Sequence, residues 1–252
     1  MRTFSLSWWM RKSPWLLLLL GWTILSQIFP RCPSPGEIFR LIIKDFGDPV
    51  FRSALAGSLK RMAIGYAGVC LFGIAAGLLL GRFRWLDDVL GTLVAALNSM
   101  PGAVWVPLAI LLFGLSEWAV IFTILLGATG IVMVNTSFGV RDVPPLILRA
   151  AQTMGARGTK IFWHVVVPAA IPRIVDGLRL AWAFGWRALM AGELLITSIH
   201  GIGQLLNEVA KRRDIEQLVT FMVIIALIGM AVDSLIFNRL IGNRLRARWG
   251  TA

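Results

Sequence analysis

The sequence has few of the side chains that carry out chemistry. Of its 252 residues, two are cysteine and two are histidine. Cys32 and Cys70 are too few for a disulfide framework. His164 and His200 stand far apart, without cysteine or carboxylate neighbours at ligand spacing, so no metal site is expected. The sequence has no GxxxxGK[ST], GxSxG or HExxH motif, and no catalytic residue is predicted.

Charged residues are also scarce, and apolar residues take their place. Charged side chains make up 15% of the chain and hydrophobic ones 57%, with a mean hydropathy of +0.76. Soluble globular domains have about 25% charged and about 45–50% apolar residues. The composition therefore predicts a membrane protein, and the length fits one domain rather than two.

The charge that is present is mostly positive. Lysine and arginine number 25 against 13 aspartate and glutamate residues, which gives a net charge of +12. In a soluble protein this excess would suggest a nucleic-acid partner. Here the basic residues lie mostly between apolar runs, where they face anionic lipid headgroups and set the topology. We therefore expect membrane lipid, and no nucleic acid, as a partner.

Six apolar runs are predicted to span the membrane, since about 20 apolar residues cross its hydrocarbon core. They cover residues 15–29, 63–80, 89–113, 118–138, 174–196 and 217–237. The first run resembles a signal peptide but lacks a small-residue cleavage site, so it is kept as a span. Pro101 and Pro107 are expected to bend the third. The prediction is an all-α integral membrane protein with a single domain over residues 1–252.

The distribution of basic residues favours one orientation. With both termini in the cytoplasm, 14 basic residues lie on the cytoplasmic side and nine on the other, as the positive-inside rule requires. Residues 139–172, the longest polar interruption, then form a cytoplasmic loop. On the outer side, apolar residues between 38 and 46 recur near helical spacing, which predicts an amphipathic helix at the interface.

The cytoplasmic loop has a helix–break–helix pattern. Ala150 and Ala151 give the first helix a small face, and Gly155 is suited to close it in the left-handed conformation. Pro168 is expected to end the second helix. Such a helix pair is shaped to dock in the groove of a partner protein. Spacing alone leaves a second interpretation open, an ordinary helical hairpin that caps the bundle.

This stretch resembles the EAA loop of the inner-membrane permease subunits of ABC importers. The family pattern is E-A-A, three residues, G, nine residues and I-x-L-P, and the matching positions here are Ala150, Ala151, Gly155, Val167 and Pro168. The similarity extends over about residues 33–245 and is closest to the nitrate, sulfonate and taurine branch. It includes Gly177-Leu178-Arg179 and Gly201-Ile202-Gly203.

The resemblance implies a type I ABC importer permease fold with a coupling-helix loop, in the bacterial inner membrane. It implies two partner ATPase subunits, an extracytoplasmic solute-binding protein, and a second copy of this chain or a paralogue. ATP and magnesium would bind to the ATPase. We therefore expect that this chain is not itself an enzyme and holds no cofactor. The residues implied to couple to the ATPase are Arg149, Ala150, Ala151, Gly155, Ala156 and Pro168.

Arg149 departs from the family pattern, because an acidic residue usually opens the motif. One interpretation is drift at a solvated position, where a surface ion pair contributes little. The other is a compensating acidic residue on this permease's own ATPase. The branch handles sulfonates, taurine, nitrate and bicarbonate, and other relatives carry vitamin precursors, so both an anionic and a non-anionic cargo stay open.

Polar and aromatic residues inside the spans are the candidates for a substrate path. A charge within the bilayer is costly and suggests a function. Arg187 has a planar fork of donors that suits an oxyanion. The alternative is an internal ion pair with Glu193 or Asp233, although Glu193 lies six residues further along the same span and does not share a helix face with Arg187. The full set of candidate path residues is Arg187, Trp186, Trp182, Glu193, Asn98 and Asn135.

Two functions from other classes were weighed. An ion-gradient-driven secondary transporter needs carboxylates or polar residues in broken helices near the midplane, and only Glu193 and Asp233 qualify. A membrane-embedded enzyme needs clustered histidine, aspartate or glutamate, which the sequence lacks. The permease of an ATP-driven importer of a small anion is the prediction that fits best.

Overall fold

A computed structural model describes residues 6–29 and 31–242 of the chain, and the side chains of residues 17–29 and 31–237. Within these residues the fold is helical, without a β-strand. The α-helices are α1 (Leu6–Ile28), α2 (Pro35–Gly47), α3 (Pro49–Arg82), α4 (Arg84–Ser99), α5 (Val106–Phe113), α6 (Glu117–Arg141), α7 (Pro145–Thr153), α8 (Thr159–Ile161), α9 (Val167–Leu195), α10 (Ile202–Arg212) and α11 (Ile215–Val232). A 3-10 turn precedes α5, and π-helical turns follow α8 and α11.

The centre of the molecule is α6, which packs along α3 on one side and α9 on the other. A Cβ atom at Gly73 of α3 would lie 2.6 Å from the Cβ of Val132, and one at Gly77 would lie 2.5 Å from that of Thr136. Any side chain there would push the helices apart, which is how a GxxxG pair permits close packing. Because the contacts follow the same order along both helices, α3 and α6 run parallel.

Two glycine contacts give the direction of α9 relative to α6. Gly192, near the end of α9, lies against Val120 at the start of α6, and Gly177 lies against Asn135 further along. α9 is therefore antiparallel to α6. The bundle has two ends, which we name after the short helices found there. At the α10 end α3, α6 and α11 begin and α9 ends, and at the α7 end α3 and α6 end and α9 begins.

In the part of the chain that the structure describes, four helices are long and apolar enough to cross a membrane. They are α3, α6, α11 with its π-helical continuation, and the continuous Thr159–Leu195 helix that contains α9. The third predicted span is broken: α4 and the segment Gly102–Phe113 meet at an angle of 98°. Arg141 pairs with Asp87 of α4 at the α7 end, and Ser198 donates to the Leu115 carbonyl at the α10 end. This broken pair therefore joins the two ends, which favours counting it as a fifth span.

The first predicted span stays a prediction. The described apolar part of α1 is the short helix Leu17–Ile28, and its Trp22 indole donates to the Pro33 carbonyl at 3.0 Å. Residues 1–5 and 243–252, whose arginines contribute to the predicted orientation, lie outside the described residues. Six spans and the positions of the termini are therefore not settled by the fold.

The segment before the second predicted span is more helical than expected. α3 begins at Pro49 rather than near residue 63, because the Asp48 side chain caps it by accepting from the Val50 N–H at 3.0 Å. The predicted amphipathic helix is present as α2, whose capping box joins Ser34 and Glu37. The hydrogen bonds from Ser34 lower the pKa of Glu37. Its position at a membrane interface stays a prediction.

Pro168 does not end a helix, which corrects the sequence analysis. The preceding turn is π-helical, and the Val167 N–H bonds to the Phe162 carbonyl five residues earlier. Pro168 follows at the start of α9, where its missing N–H costs little. The helix from Thr159 to Leu195 is therefore continuous, and the last part of the predicted 139–172 loop belongs to it.

Candidate functional site

The segment between α6 and α8, residues 142–158, contains α7 and is named the α7 loop. Its α7 helix ends with a Schellman motif. Gly155 has φ +85°, the left-handed conformation predicted for it. Its N–H bonds to the Gln152 carbonyl, and the Ala156 N–H bonds to the Ala151 carbonyl, each at 3.0 Å. These two bonds satisfy carbonyls at the end of α7 and fix the chain reversal. The candidate coupling residues Ala151, Gly155 and Ala156 therefore form one turn.

The loop is anchored on one side and open on the other. Val143 and Leu148 pack with Phe162 at the α7 end of the bundle. On the outer side of the helix, Leu146 is 78% exposed, and Met154, in the turn that follows, is 88% exposed. Large apolar side chains exposed outside the membrane spans are typical of a protein-binding surface.

Arg149 and Ala150 lie on the exposed part of α7. No carboxylate of the described residues pairs with Arg149, so its charge is available to a partner. Pro168 lies apart from this surface, at the start of α9. The structure brings Arg149, Ala150, Ala151, Gly155 and Ala156 together.

A cavity of about 560 Å³ lies between α9 and the α11 helix. Three candidate path residues line it: Trp182, Trp186 and Arg187. Its other walls come from apolar residues of α11 and from Arg179 and Asp233, whose side chains pair at 2.6 Å. The cavity is therefore largely apolar, with charged groups confined to α9 and to the residues that follow α11.

Among the described residues that line this cavity, Arg187 is the cation without an ion-pair partner. Its guanidinium carbon lies 5.2 Å from the centroid of the Phe184 ring, and its side chain is exposed. Among the described residues, none forms an ion pair with Arg187. The two partners weighed from the sequence are engaged elsewhere, since Asp233 pairs with Arg179 and Glu193 pairs with Arg61.

The two tryptophans beside Arg187 stack on each other. Their ring centroids are 6.1 Å apart with an interplanar angle of 16°, and Tyr66 packs edge-on against Trp182. Both indole N–H groups are buried and have no hydrogen-bond partner among the described residues. Two unpaired donors beside a guanidinium match the hydrogen-bonding needs of an oxyanion.

Glu193 lies in a different place, inside a buried polar network at the α10 end. Arg61 is 1% exposed and donates to its carboxylate at 2.8 and 3.0 Å. Ser58 donates to the same carboxylate at 2.8 Å, and the Gly203 N–H does so at 2.9 Å. Arg61 also donates to Glu117 at 3.1 Å. These bonds join α3, α6, α9 and α10.

Gly201 and Gly203 lie so close to this network that neither position has room for a side chain. A Cβ atom at Gly201 would lie 2.4 Å from a Glu193 carboxylate oxygen and 2.6 Å from a guanidinium nitrogen of Arg61. One at Gly203 would lie 2.6 Å from the Glu193 Cβ. The Gly201-Ile202-Gly203 motif therefore leaves room for the ion pair, and Glu193 does not line the cavity that holds Arg187.

The two asparagines lie at helix contacts. Asn98 of α4 lies against Gly130 of α6, and its Oδ1 would be 3.1 Å from a Cβ there. The Asn135 side chain donates to the Ile131 carbonyl at 2.9 Å and lies against Gly177. Neither lines the 560 Å³ cavity, and their path role stays a prediction.

Arg61 and Ser58 were missed by the sequence analysis, which named neither of them as a candidate site residue. The signal was present as a stripe at helical spacing. Ser58, Arg61 and Gly65 continue the buried face of α3 towards its start, once the helix is extended back to Pro49. Within the described residues, no group of three or more His, Cys, Asp or Glu side chains is placed to hold a metal ion.

Comparison with known proteins gives one family. Residues 71–247 match the model of the binding-protein-dependent transport system inner membrane component. A putative ABC transporter permease protein of Methanocaldococcus jannaschii is 36% identical over 70% of this chain and 66% of its own length. The bicarbonate transport system permease protein CmpB of Synechococcus elongatus is 30% identical over 92% and 91%. The taurine transport system permease protein TauC of Escherichia coli is 28% identical over 86% and 82%.

These matches agree with the fold. The matched region begins within α3 and includes α6, the α7 loop, α9 and α11, and these are the helices that form the two candidate surfaces. The relatives named above are permeases, and two of them carry small anionic or zwitterionic solutes by name. The chain is an ABC-type membrane permease and belongs to the family of binding-protein-dependent transport system inner membrane components.

Proposed function

We propose that this chain is the membrane subunit of an ATP-driven importer and forms the path for a small anionic solute such as a sulfonate, taurine, nitrate or bicarbonate. The unpaired Arg187 at the cavity between α9 and α11 carries the proposal. An arginine within a membrane span is retained at a cost. A ligand oxyanion would supply the partner that this arginine lacks among the described residues.

The proposed path needs a second copy of the chain. The walls of the cavity come from α9 and from α11 with its π-helical continuation. These two helices can form only one side of a passage. A homodimer related by twofold symmetry would place a second such wall opposite the first. A paralogous partner would do the same with a different surface.

The α7 loop supports an ATPase partner at the same end of both copies. Its exposed Leu146, Arg149 and Met154 would lie in the cytoplasm, on the side that the count of basic residues favours. ATP and magnesium would bind to that ATPase. Closure of the two ATPases would pull on α7 and shift the helices anchored to it, which switches access between the two faces of the membrane.

The test of the anion path is uptake by Arg187 variants at matched membrane abundance. A charge-assisted hydrogen bond to a charged group is worth about 1.5–3 kcal/mol, so Arg187→Ala is expected to reduce uptake at low substrate by roughly ten- to a hundredfold. Arg187→Lys keeps the charge without the planar fork and should retain part of the activity.

The matched control is Arg173→Ala, which removes an arginine of the same helix. Arg173 is 59% exposed, lies outside the cavity and forms only a long contact of 3.7 Å with Asp142. It should transport like the parent. Normal uptake by both Arg187 variants would remove the anion contact and favour a path for a non-anionic nutrient.

A further inference from the structure

A second cavity, of about 480 Å³, lies at the α7 end between the last turns of α3 and the start of the Thr159–Leu195 helix. Its walls are mostly apolar and carry one charged group. The lining residues are Ala75, Leu78, Leu79, Arg82, Phe83, Thr159, Phe162 and Trp163. None of them is a candidate coupling or path residue, so this cavity is separate from both surfaces described above.

The cavity extends from the apolar part of the spanning helix α3 to the charged end of that helix. Ala75 lies seven residues before Arg82 on α3, which corresponds to about 10 Å along the helix axis. Its end at Ala75 and Leu79 therefore belongs to the spanning part of α3, where a cytoplasmic protein has no access. At the other end Trp163 is 58% exposed, as tryptophan often is at a membrane interface.

Arg82 is the charged group of this cavity. Its guanidinium carbon lies 4.6 Å from the centroid of the Phe162 ring and 5.6 Å from that of Phe83. Among the described residues no carboxylate forms an ion pair with it. Arg141 and Arg173 at the same end do have such partners, Asp87 and Asp142. The free guanidinium is thus held by aromatic rings at the mouth of an apolar cavity.

We propose that this cavity binds an anionic phospholipid, with the headgroup phosphate on Arg82 and an acyl chain between Leu79 and Trp163. The apolar wall suits a lipid chain, the unpaired cation suits its phosphate, and both lie at the depth where a lipid has them. The proposal requires only that the α7 end lies at a membrane surface, and it does not depend on the transported solute.

The test is lipid retention by the purified transporter in nanodiscs that contain equal amounts of phosphatidylglycerol and phosphatidylcholine. Native mass spectrometry counts the lipids that stay bound after mild activation. The parent should retain phosphatidylglycerol preferentially, and Arg82→Gln should lower this preference about fivefold, the contribution of one basic residue near an anionic lipid surface. Arg82→Lys should keep most of it.

Two further variants make the result specific. Arg84→Gln removes the same charge at the same end outside the cavity lining, and it should leave the preference unchanged. Ala75→Phe keeps Arg82 but fills the apolar end, and it should lower phosphatidylglycerol retention. It also tests the site if Arg82→Gln does not fold.

Three results would overturn the proposal. Equal effects of Arg82→Gln and Arg84→Gln would mean diffuse attraction to the membrane rather than a site. Equal retention of both lipids by the parent would show that the cavity does not select a headgroup with a net negative charge. Displacement of the lipid by millimolar glycerol phosphate would identify a site for a free anion instead.

Discussion

Glu193 shows how a single charged residue is held inside this bundle. Its side chain is fully buried, and removing a carboxylate from water is costly unless its oxygens are paired. Arg61 and Ser58 of α3 and the Gly203 N–H of α10 supply that pairing. The Glu193 carboxylate therefore fixes the position of α10 relative to α3 and α9.

Removing the Glu193 charge is expected to destabilise the protein strongly. Glu193→Gln leaves the Arg61 guanidinium buried with only Glu117 as a charged partner. Breaking a buried pair costs about 3–5 kcal/mol, which corresponds to a fall in melting temperature on the order of 10 °C. Thermal unfolding of the detergent-solubilised protein measures this shift.

The control for this prediction is the exposed ion pair next to it. Lys60 lies 3.7 Å from Glu117, and both side chains are about half exposed or more. Lys60→Gln should therefore change stability little. If Glu193→Gln melted at the parent's temperature, the buried network would not have the structural role assigned to it.

At this scale the sequence predicts which residues matter better than it predicts their partners. Arg187 and Glu193 stand out because charges are rare in apolar runs. The Arg61 partner of Glu193 is 132 residues away in sequence, and no local pattern relates two such positions. Arg61 stands beside Lys60 just before the predicted span 63–80, so it does not stand out as a charge within an apolar run.

At the scale of elements, the α7 loop is the part whose geometry follows most directly from its sequence. The interval from Ala151 to Gly155 sets the end of the helix, and Gly155 takes a left-handed conformation that costs other residues about 1–2 kcal/mol. The turn places Met154 at the surface beside α7.

Substitution of Gly155 should weaken the coupling of transport to ATP hydrolysis without lowering the abundance of the protein in the membrane. A Cβ at Gly155 meets no neighbour, so Gly155→Ala acts only through backbone strain at φ +85°. We expect a severalfold loss of transport-stimulated ATP hydrolysis in the assembled complex. Gly36→Ala in α2, which also meets no neighbour but has no positive φ, is the matched control and should be neutral.

Two results of this comparison would contradict the assigned role. One is full coupling in Gly155→Ala, which would mean that the shape of the turn is not needed. The other is an equal loss in Gly36→Ala, which would mean that the assay responds to any glycine substitution.

Helix boundaries were less predictable than helix identity. Pro101 does lie at the break between α4 and α5, but no sequence rule gives the 98° angle. Pro168 was read as a stop because proline lacks an N–H, and the π-helical turn before it removes the need for that hydrogen bond. The start of α3 was predicted too late because polar residues, Ser58 and Arg61 among them, lower the hydropathy of its first turns, although these two side chains are buried against other helices.

At the scale of the whole molecule, one continuous helix connects the two candidate functional surfaces. The helix from Thr159 to Leu195 begins beside the α7 loop and carries Arg187 at the cavity with α11. A displacement of the loop by an ATPase would therefore reach the proposed anion site through one rigid helix. This arrangement suits a permease that responds to ATP binding in a partner chain.

The most direct test of this account is reconstitution. The chain is assembled in proteoliposomes with its ATPase and solute-binding protein, and uptake of taurine, alkanesulfonate, nitrate and bicarbonate is measured with ATP supplied on the ATPase side. The account predicts uptake of at least one of these solutes that requires ATP, the ATPase and the binding protein together. Uptake that proceeds without the ATPase and follows an imposed ion gradient would contradict it.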